Sequence, residues 1–245
     1  MTRKPKGEDH PLKEFYRDIY PTYDRVNRIF TFGQDRAWRR KAARECLEDQ
    51  PVEVLDVCTG TGDFLIEMAS MAHGQTRFTG YDFSAPMLDE AQRKLNAAGN
   101  KDLSERTRLM EGDVARMPFS DGEFDAVGIT FGIRNLIFEN SKADRHLAEI
   151  RRVLRKGGRL VILESSRPSF GPWRMINSLY LKFILPYLGG WISGNLEAYR
   201  YLSKSSKNYY TIGEMEMILK GAGFLTVRSS PLFLGSVMLV VAQTS

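Results

Sequence analysis

Cysteine is scarce in this 245-residue chain: Cys46 and Cys58 are its two thiols, and their spacing suggests neither a disulfide framework nor a metal site. A reducing compartment fits that usage. The three histidines, His10, His73 and His146, are too scattered for a metal cluster, so no metal is expected. No uncharged run approaches the ~20 residues that would cross a bilayer. No apolar stretch follows the charged start MTRKPKGEDH, so no signal peptide is expected. Internal repeats and low-complexity blocks are missing too. The 21 glycines and 10 prolines are near average usage, which excludes a fibrous or broadly disordered chain.

What is present is ordinary for a folded protein. The hydrophobic fraction is 42%, and the length suits one large domain, or one with a small attachment. The net charge of +5 is modest. It fits a bland basic surface, and equally leaves open attraction to an anionic membrane face or to RNA.

The most informative stretch is VLDVCTGTGD, Val54 to Asp63. A buried-strand pattern ends in an acid, Asp56, and a glycine-rich turn follows. A second acid, Asp82, closes another short apolar run, RFTGYD. Strand, glycine turn and a later carboxylate for ribose hydroxyls frame an open α/β nucleotide site. The dinucleotide pattern G-x-G-x-x-G is incomplete, because Leu65 stands where the third glycine belongs. Asp63 stands where a pyrophosphate would need a helix N-terminus, and its carboxylate would repel that anion. It would accept the ammonium of an amino-acid tail. That combination points to S-adenosylmethionine.

Along the chain, residues 14–50 read as helices broken at Pro21 and Gly33, with Arg36, Arg39, Arg40, Lys41 and Arg44 crowding the second. A solvated face or docking to an anion both explain that crowding. Strands then alternate with helices: Val52–Val57, Arg77–Tyr81, Arg108–Glu111, Phe124–Phe131 and Arg159–Glu164 as strands, implying a parallel sheet. Arg145–Leu154 reads as a helix, ended by a tight turn at Gly157 and Gly158 before the fifth strand. Residues 165–210 break the alternation. Rich in aromatics and turn formers, they read as a cover inserted between strands five and six. Thr211–Ala222 is a helix, with Thr211 as N-cap and Glu214 completing a capping box. Two last strands, Thr226–Leu232 and Val237–Ala242, are too close for a crossover and should pair antiparallel.

The site follows from strand ends. Asp56 can accept bonds from the turn, and Gly60 and Gly62 permit close backbone approach. Thr61 offers a hydroxyl and a backbone N–H. Asp63 can meet the ammonium and Asp82 both ribose hydroxyls. Asp113 can accept from the adenine amino group, while Met87 and Val114 pack on the purine. After the fourth strand, Arg134 and Asn135 are expected to project from the rim where a second substrate approaches. Arg134 either makes a surface ion pair or holds an electron-rich oxygen anion. Methyl transfer from a sulfonium is a direct displacement that needs alignment and exclusion of water, with no covalent residue.

The chain resembles the ubiquinone/menaquinone biosynthesis C-methyltransferases from about Phe15 to Ala242. The matching pieces are YDRVNRIFTFGQDRAWRR, VLDVCTGTGD, YDFSAPML, EGDVARMPF, TFGIRNL, VLRKGG, LESSRP and YRYLSKS. The resemblance implies a Rossmann-like class I methyltransferase: an α/β fold with a mostly parallel seven-stranded sheet, an antiparallel last strand, N-terminal helices and a helical cover. Residues 1–50 would be the helical extension and 51–245 the methyltransferase domain, with 165–210 covering the substrate. It implies cofactor contacts at Thr61, Asp82, Asp113 with Val114, and Thr130. It adds Tyr201 as a hydrogen-bond candidate beside Arg134 and Asn135, with a core tyrosine as the alternative.

The implied reaction is C-methylation of a polyprenylated quinol, demethylmenaquinol to menaquinol, with a ubiquinone-pathway benzoquinol or another small molecule as alternatives. A basic nucleic-acid-binding protein is the non-enzymatic rival, and no nucleic acid is expected, because no base-stacking module is evident. The implied setting is cytoplasmic, with transient contact to the inner membrane face. A monomer and a homodimer both stay open. The chain departs from the family pattern at Ser165, at Tyr209 and Tyr210, and in a longer stretch after Asn135.

Overall fold

The computed structural model describes residues 25–72, 74–99 and 101–245, and within them every side chain except those of residues 101, 198, 201, 226 and 227. The expectations placed on residues 1–24 and on His73 lie outside this range.

Seven strands form one sheet: β1 (Glu53–Val57), β2 (Arg77–Asp82), β3 (Thr107–Glu111), β4 (Phe124–Thr130), β5 (Leu154–Ser165), β6 (Phe224–Leu232) and β7 (Val237–Thr244). Their order is β3-β2-β1-β4-β5-β7-β6. The first five are parallel. β7 runs antiparallel to both β5 and β6, because the short link from Leu232 to Val237 can only turn the chain back. From β1 the chain moves outward to β2 and β3, then returns to the other side for β4 and β5. The crevice beyond the carboxyl ends of β1 and β4 is therefore a topological switch point, where open α/β sheets bind ligands.

The strands are buried because both faces are covered. Alternate residues enter two layers. Leu55, Val127, Ile129, Leu160 and Ile162 meet α6 (Ala143–Val153) and α10 (Ile212–Gly221) through Ile150, Met215 and Leu219. Val54, Ala126, Val161 and Leu163 meet α1 (Asp35–Cys46), α2 (Asp63–Met71) and α3 (Ala85–Ala97) through Trp38, Ala42, Phe64, Met68 and Leu95. Each such large apolar side chain contributes about 1.5–3 kcal/mol on burial. Two short helices, α4 (Lys101–Glu105) and α5 (Ile133–Ile137), complete this part.

The expected capping box is present. Glu214 N–H donates to Thr211 Oγ1 at 3.3 Å, and Thr211 N–H donates to Glu214 Oε2 at 2.7 Å. The helix expected over Arg145–Leu154 is α6, Ala143–Val153, but the strand expected from Arg159 starts earlier, since Leu154 already pairs with Phe124. The next pair is Ala126 with Arg159, so residues 155–158 bulge out around Gly157, which has φ +70°. Burial of Leu154 anchors the chain to the sheet before the turn residues arrive.

The cover is mostly helical: α7 (Gly171–Leu179), a π-helical turn at Tyr180–Ile184, α8 (Leu185–Ser193) and α9 (Leu196–Asn208). Pro186 sits in the first turn of α8, directly after the π-helical turn. Gly189 brings α8 against α9, since an added Cβ would overlap the Tyr199 ring. Residues 25–30 are helical and pack on this cover through Val26 against Leu185 and Tyr199, and the Tyr180 hydroxyl donates to the Phe30 carbonyl at 3.0 Å. Among the described residues, no helix is long and apolar enough to cross a membrane.

Candidate active site

A cavity of about 230 Å³ lies at the switch point. The loops after β1, β2, β3 and β4 line it in the order the sheet dictates. Thr59, Gly60, Thr61 and Asp63 follow β1; Asp82, Phe83 and Met87 follow β2; Asp113 and Val114 follow β3; Thr130, Phe131 and Asn135 follow β4.

The turn after β1 is held from below. Thr59 Oγ1 donates to Asp56 Oδ2 at 2.6 Å, and burial raises the Asp56 carboxyl to about 7, with the Thr59 bond pulling the other way. Asp56 is buried beneath the turn and does not line the cavity, so the structure places it as the anchor of the turn. Gly62, also outside the lining, is the N-cap of α2 at φ +81°, and a Cβ there would lie 2.9 Å from Ala91 Cβ on α3. No other residue would permit both that backbone and that approach.

Asp82 lines the cavity at the end of β2. Gly60 N–H donates to its Oδ2 at 2.9 Å and Ser84 N–H to its Oδ1 at 2.9 Å. Burial raises its pKa to about 6, against the pull of the Gly60, Ser84 and Phe83 amides. It is therefore ionised at neutral pH, and each oxygen keeps a lone pair for a ligand hydroxyl. Met87 and Val114 are buried and present apolar walls. Asp113, with its side chain 57% exposed, accepts from Ala115 N–H at 2.8 Å and lies 3.6 Å from Lys142 Nζ.

Asp63 has a partner already. Lys94 Nζ donates to Asp63 Oδ1 at 2.5 Å and to Thr61 Oγ1 at 3.0 Å. The sequence spacing between α2 and α3 gave no sign of this pair. A ligand ammonium would share Asp63 with Lys94.

Arg134 corrects an expectation. It does not project from the rim: it is only 5% exposed and does not line the cavity. Its Nη1 donates to Ser206 Oγ on α9, and its Nε has no partner. Successive residues of a helix point about 100° apart. In α5, Asn135 faces the cavity while Arg134 turns under the cover. Glu164 is fully buried nearby: Arg134 N–H reaches its Oε2 at 3.3 Å, and Ser165 Oγ donates to its Oε1 at 2.8 Å. Tyr209 is buried beside the same groups with an unpaired hydroxyl, and burial, with Glu164 next, holds its pKa well above the usual value. Ser165 is thus a polar partner of Glu164, and Tyr209 packs with Phe138 and Tyr210 in the core. The Tyr201 side chain lies outside the described ones.

The cavity residues that the sequence reading missed include His146 and Arg39. His146 on α6 places Nδ1 2.7 Å from the Leu136 carbonyl, so Nδ1 carries the proton, and Nε2 lies 3.9 Å from Asp113. Arg39 on α1 was grouped with a basic face, yet it is 8% exposed while Arg36, Arg40, Lys41 and Arg44 are exposed. A signal existed: Asp35, Trp38, Arg39, Ala42, Ala43 and Cys46 form one helical stripe, and all are buried. Among the described residues, no group of histidines, cysteines and acids could hold a metal ion.

The site can hold a nucleoside over β2 and β3 and a charged tail at β1 and β4. The comparisons agree with that chemistry. The model of the ubiE/COQ5 methyltransferase family matches residues 4–243. A demethylmenaquinone methyltransferase of Deinococcus radiodurans is 42% identical over 224 residues, covering 91% of this chain and 88% of that protein. One of Thermus thermophilus is 41% identical over 209 residues, covering 85% and 90%. The crystal structure of a SAM-dependent methyltransferase from Aquifex aeolicus has a TM-score of 0.54 at 21% identity, covering 79% of this chain and 82% of that one, which speaks for the fold.

Proposed function

The chain belongs to the ubiE/COQ5 methyltransferase family, and from that premise we propose that it methylates a ring carbon of a polyprenylated quinol, converting demethylmenaquinol to menaquinol. It is an S-adenosylmethionine-dependent methyltransferase. The cofactor supplies an electrophilic methyl group on its sulfonium sulfur. The observation that carries the reading is the order along the sheet edge. Asp113 after β3, Asp82 at the end of β2 and the glycine turn after β1 line the cavity in that order, which matches the order of adenine, ribose and sulfonium in the cofactor. The buried Asp82 carboxylate fits a vicinal diol, and the apolar walls Met87 and Val114 fit a purine.

In this proposal Asp82 accepts both ribose hydroxyls and Asp113 accepts the adenine amino group. Gly60 and Thr61 let the turn approach the sulfonium, with Thr130 on the opposite wall. Asp63 receives the tail ammonium. Asn135 orients the quinol at the cavity mouth. Arg134 acts from behind, tying α5 to the cover through Ser206, so that the cover closes over the reacting ring and excludes water. A phenolic oxygen that loses its proton makes the neighbouring ring carbon nucleophilic, so the reduced ring is the acceptor.

The outer face of the cover carries exposed Met175, Ile176, Leu179, Phe183, Tyr187 and Trp191. In our reading this face touches a lipid surface transiently and takes in the prenyl tail. The enzyme would then work at the inner face of the cytoplasmic membrane.

Transfer of labelled methyl to reduced demethylmenaquinone, to its benzoquinol counterpart and to the oxidised forms tests the reading. We expect turnover with the reduced naphthoquinol first. Equal turnover of strictly oxidised rings would overturn the mechanism, and preference for the benzoquinol would overturn the substrate.

A further inference from the structure

We propose that Arg39 receives the carboxylate of the cofactor's methionyl tail, an inference that rests on the cofactor reading above. Arg39 sits in the middle of the buried stripe of α1 and its side chain lines the cavity. The helix holds it in place: Thr31 Oγ1 donates to Asp35 Oδ1 at 3.0 Å, and Arg39 Nη1 donates to Asp35 Oδ2 at 2.5 Å. The guanidinium carbon lies 5.6 Å from the centroid of the Phe131 ring, the residue that follows β4. Nη1 also comes within 3.9 Å of Asp63 Oδ2. Nε is buried and has no hydrogen-bond partner.

An unpaired guanidinium N–H away from water is costly and asks for an acceptor. Three features identify it as a carboxylate. The first is position. Strands lie about 4.8 Å apart, so the β4 side of the turn, where Arg39 meets Phe131, is about 10 Å along the sheet edge from Asp82 on the β2 side. That is the direction in which a nucleoside's amino-acid substituent would extend beyond its ribose. The second is shape, because the planar guanidinium fork matches a carboxylate with parallel N–H bonds.

The third feature is charge. Asp35 and Asp63 face Arg39 and Lys94, two acids against two bases. A zwitterion leaves that balance intact: its carboxylate goes to Arg39 and its ammonium to Asp63. A pyrophosphate would add uncompensated negative charge beside Asp35 and Asp63. Arg39 and Asp63 therefore form a two-sided reader of a free amino acid, built from α1 and the start of α2. Arg39 is a binding residue here and takes no part in the transfer step.

Calorimetric titration separates this role from a brace between α1 and β4. The ligands are S-adenosylmethionine and its decarboxylated analogue, which keeps the sulfonium and the amine. The proteins are the parent, Arg39→Gln and Arg39→Lys, with thermal melting in the absence of ligand to monitor folding. The parent should prefer S-adenosylmethionine at least ~10-fold, as expected for hydrogen bonds between charged groups. Arg39→Gln should weaken S-adenosylmethionine ~10-fold or more and leave the decarboxylated analogue within ~2-fold. Arg39→Lys should give an intermediate ratio, and it carries the test if the glutamine variant does not fold. Equal losses for both ligands, or no loss for either, would overturn the proposal. If the parent binds both ligands equally well, the carboxylate assignment falls and the cofactor reading survives. If the parent binds neither, the cofactor reading falls first and takes this one with it.

Discussion

The backbone N–H of Gly60 donates to Oδ2 of Asp82 at 2.9 Å. The glycine turn after β1 and the carboxylate after β2 are therefore one unit, and whatever disturbs one displaces the other. Asp82→Ala should weaken S-adenosylmethionine binding by about one to three kcal/mol, losing ligand bonds and the brace on the turn together. In the parent, affinity should be flat above pH 7 and fall below pH 6, because the carboxylate, raised to about 6 by burial, becomes neutral there. Calorimetry across pH 5–8 checks both, and Asp82→Asn should lose the pH dependence. An unchanged dissociation constant in Asp82→Ala would remove Asp82 from the site.

Asp56 and Asp82 also oppose stability as pH rises. Their folded pKa values, about 7 and about 6, stand above the usual 3.8, mainly through burial. Between 3.8 and those values the folded chain keeps protons that the unfolded chain has released, so stability falls as pH climbs through that window. Asp56→Asn keeps the acceptor for Thr59 and carries no charge. Its melting temperature relative to the parent should rise from pH 5 to pH 8. A difference that stays constant across pH would contradict the buried-charge account.

Arg134 and Ser206 tie the cover to the loop after β4. Arg134→Lys keeps the charge and loses the planar fork, and we expect at least a ~10-fold lower single-turnover methyl-transfer rate with cofactor affinity nearly constant. Ser206→Ala should reproduce part of that loss and raise the KM for quinol, since it loosens the cover alone. A defect in Arg134→Lys with Ser206→Ala fully normal would mean that the guanidinium acts on the substrate directly.

Trp191 is 83% exposed, with Phe183 and Tyr187 on the same cover. Truncating exposed side chains changes folding stability little, so their loss reads out an outside contact. Trp191→Ala combined with Phe183→Ala should reduce sedimentation with anionic vesicles, and should cost more turnover with a long-tailed quinol than with a tailless one. Identical losses with both substrates would limit these residues to packing.

Much of this protein was legible in its sequence because the relevant physics is local. The glycine turn needs residues that tolerate positive φ, and Gly60 and Gly62 stand there. A strand that ends in an acid carries that acid to the sheet edge, which placed Asp82, Asp113 and, through Met87 and Val114, the cavity walls. The capping box at Thr211 and Glu214 is a matter of four consecutive residues. The short link before Val237 sufficed to predict an antiparallel last strand.

What the sequence left undecided depends on which face of an element meets which neighbour. Arg39 and Arg40 are adjacent in the chain, yet one is buried in the cavity wall and the other is exposed, because α1 lays one stripe on the sheet. Arg134 and Asn135 part company at the first turn of α5 for the same angular reason. Asp56, expected to accept bonds from the turn, does so through Thr59, but from beneath the turn and outside the cavity lining, which only the packing decided. Lys94 reaches Asp63 from thirty-one positions away through the packing of α3 on α2. The sequence alone determined the sheet, the cofactor turn and the chemical class. The tertiary structure alone decided which charged side chains are withdrawn from water, and a charge withdrawn from water must find a partner.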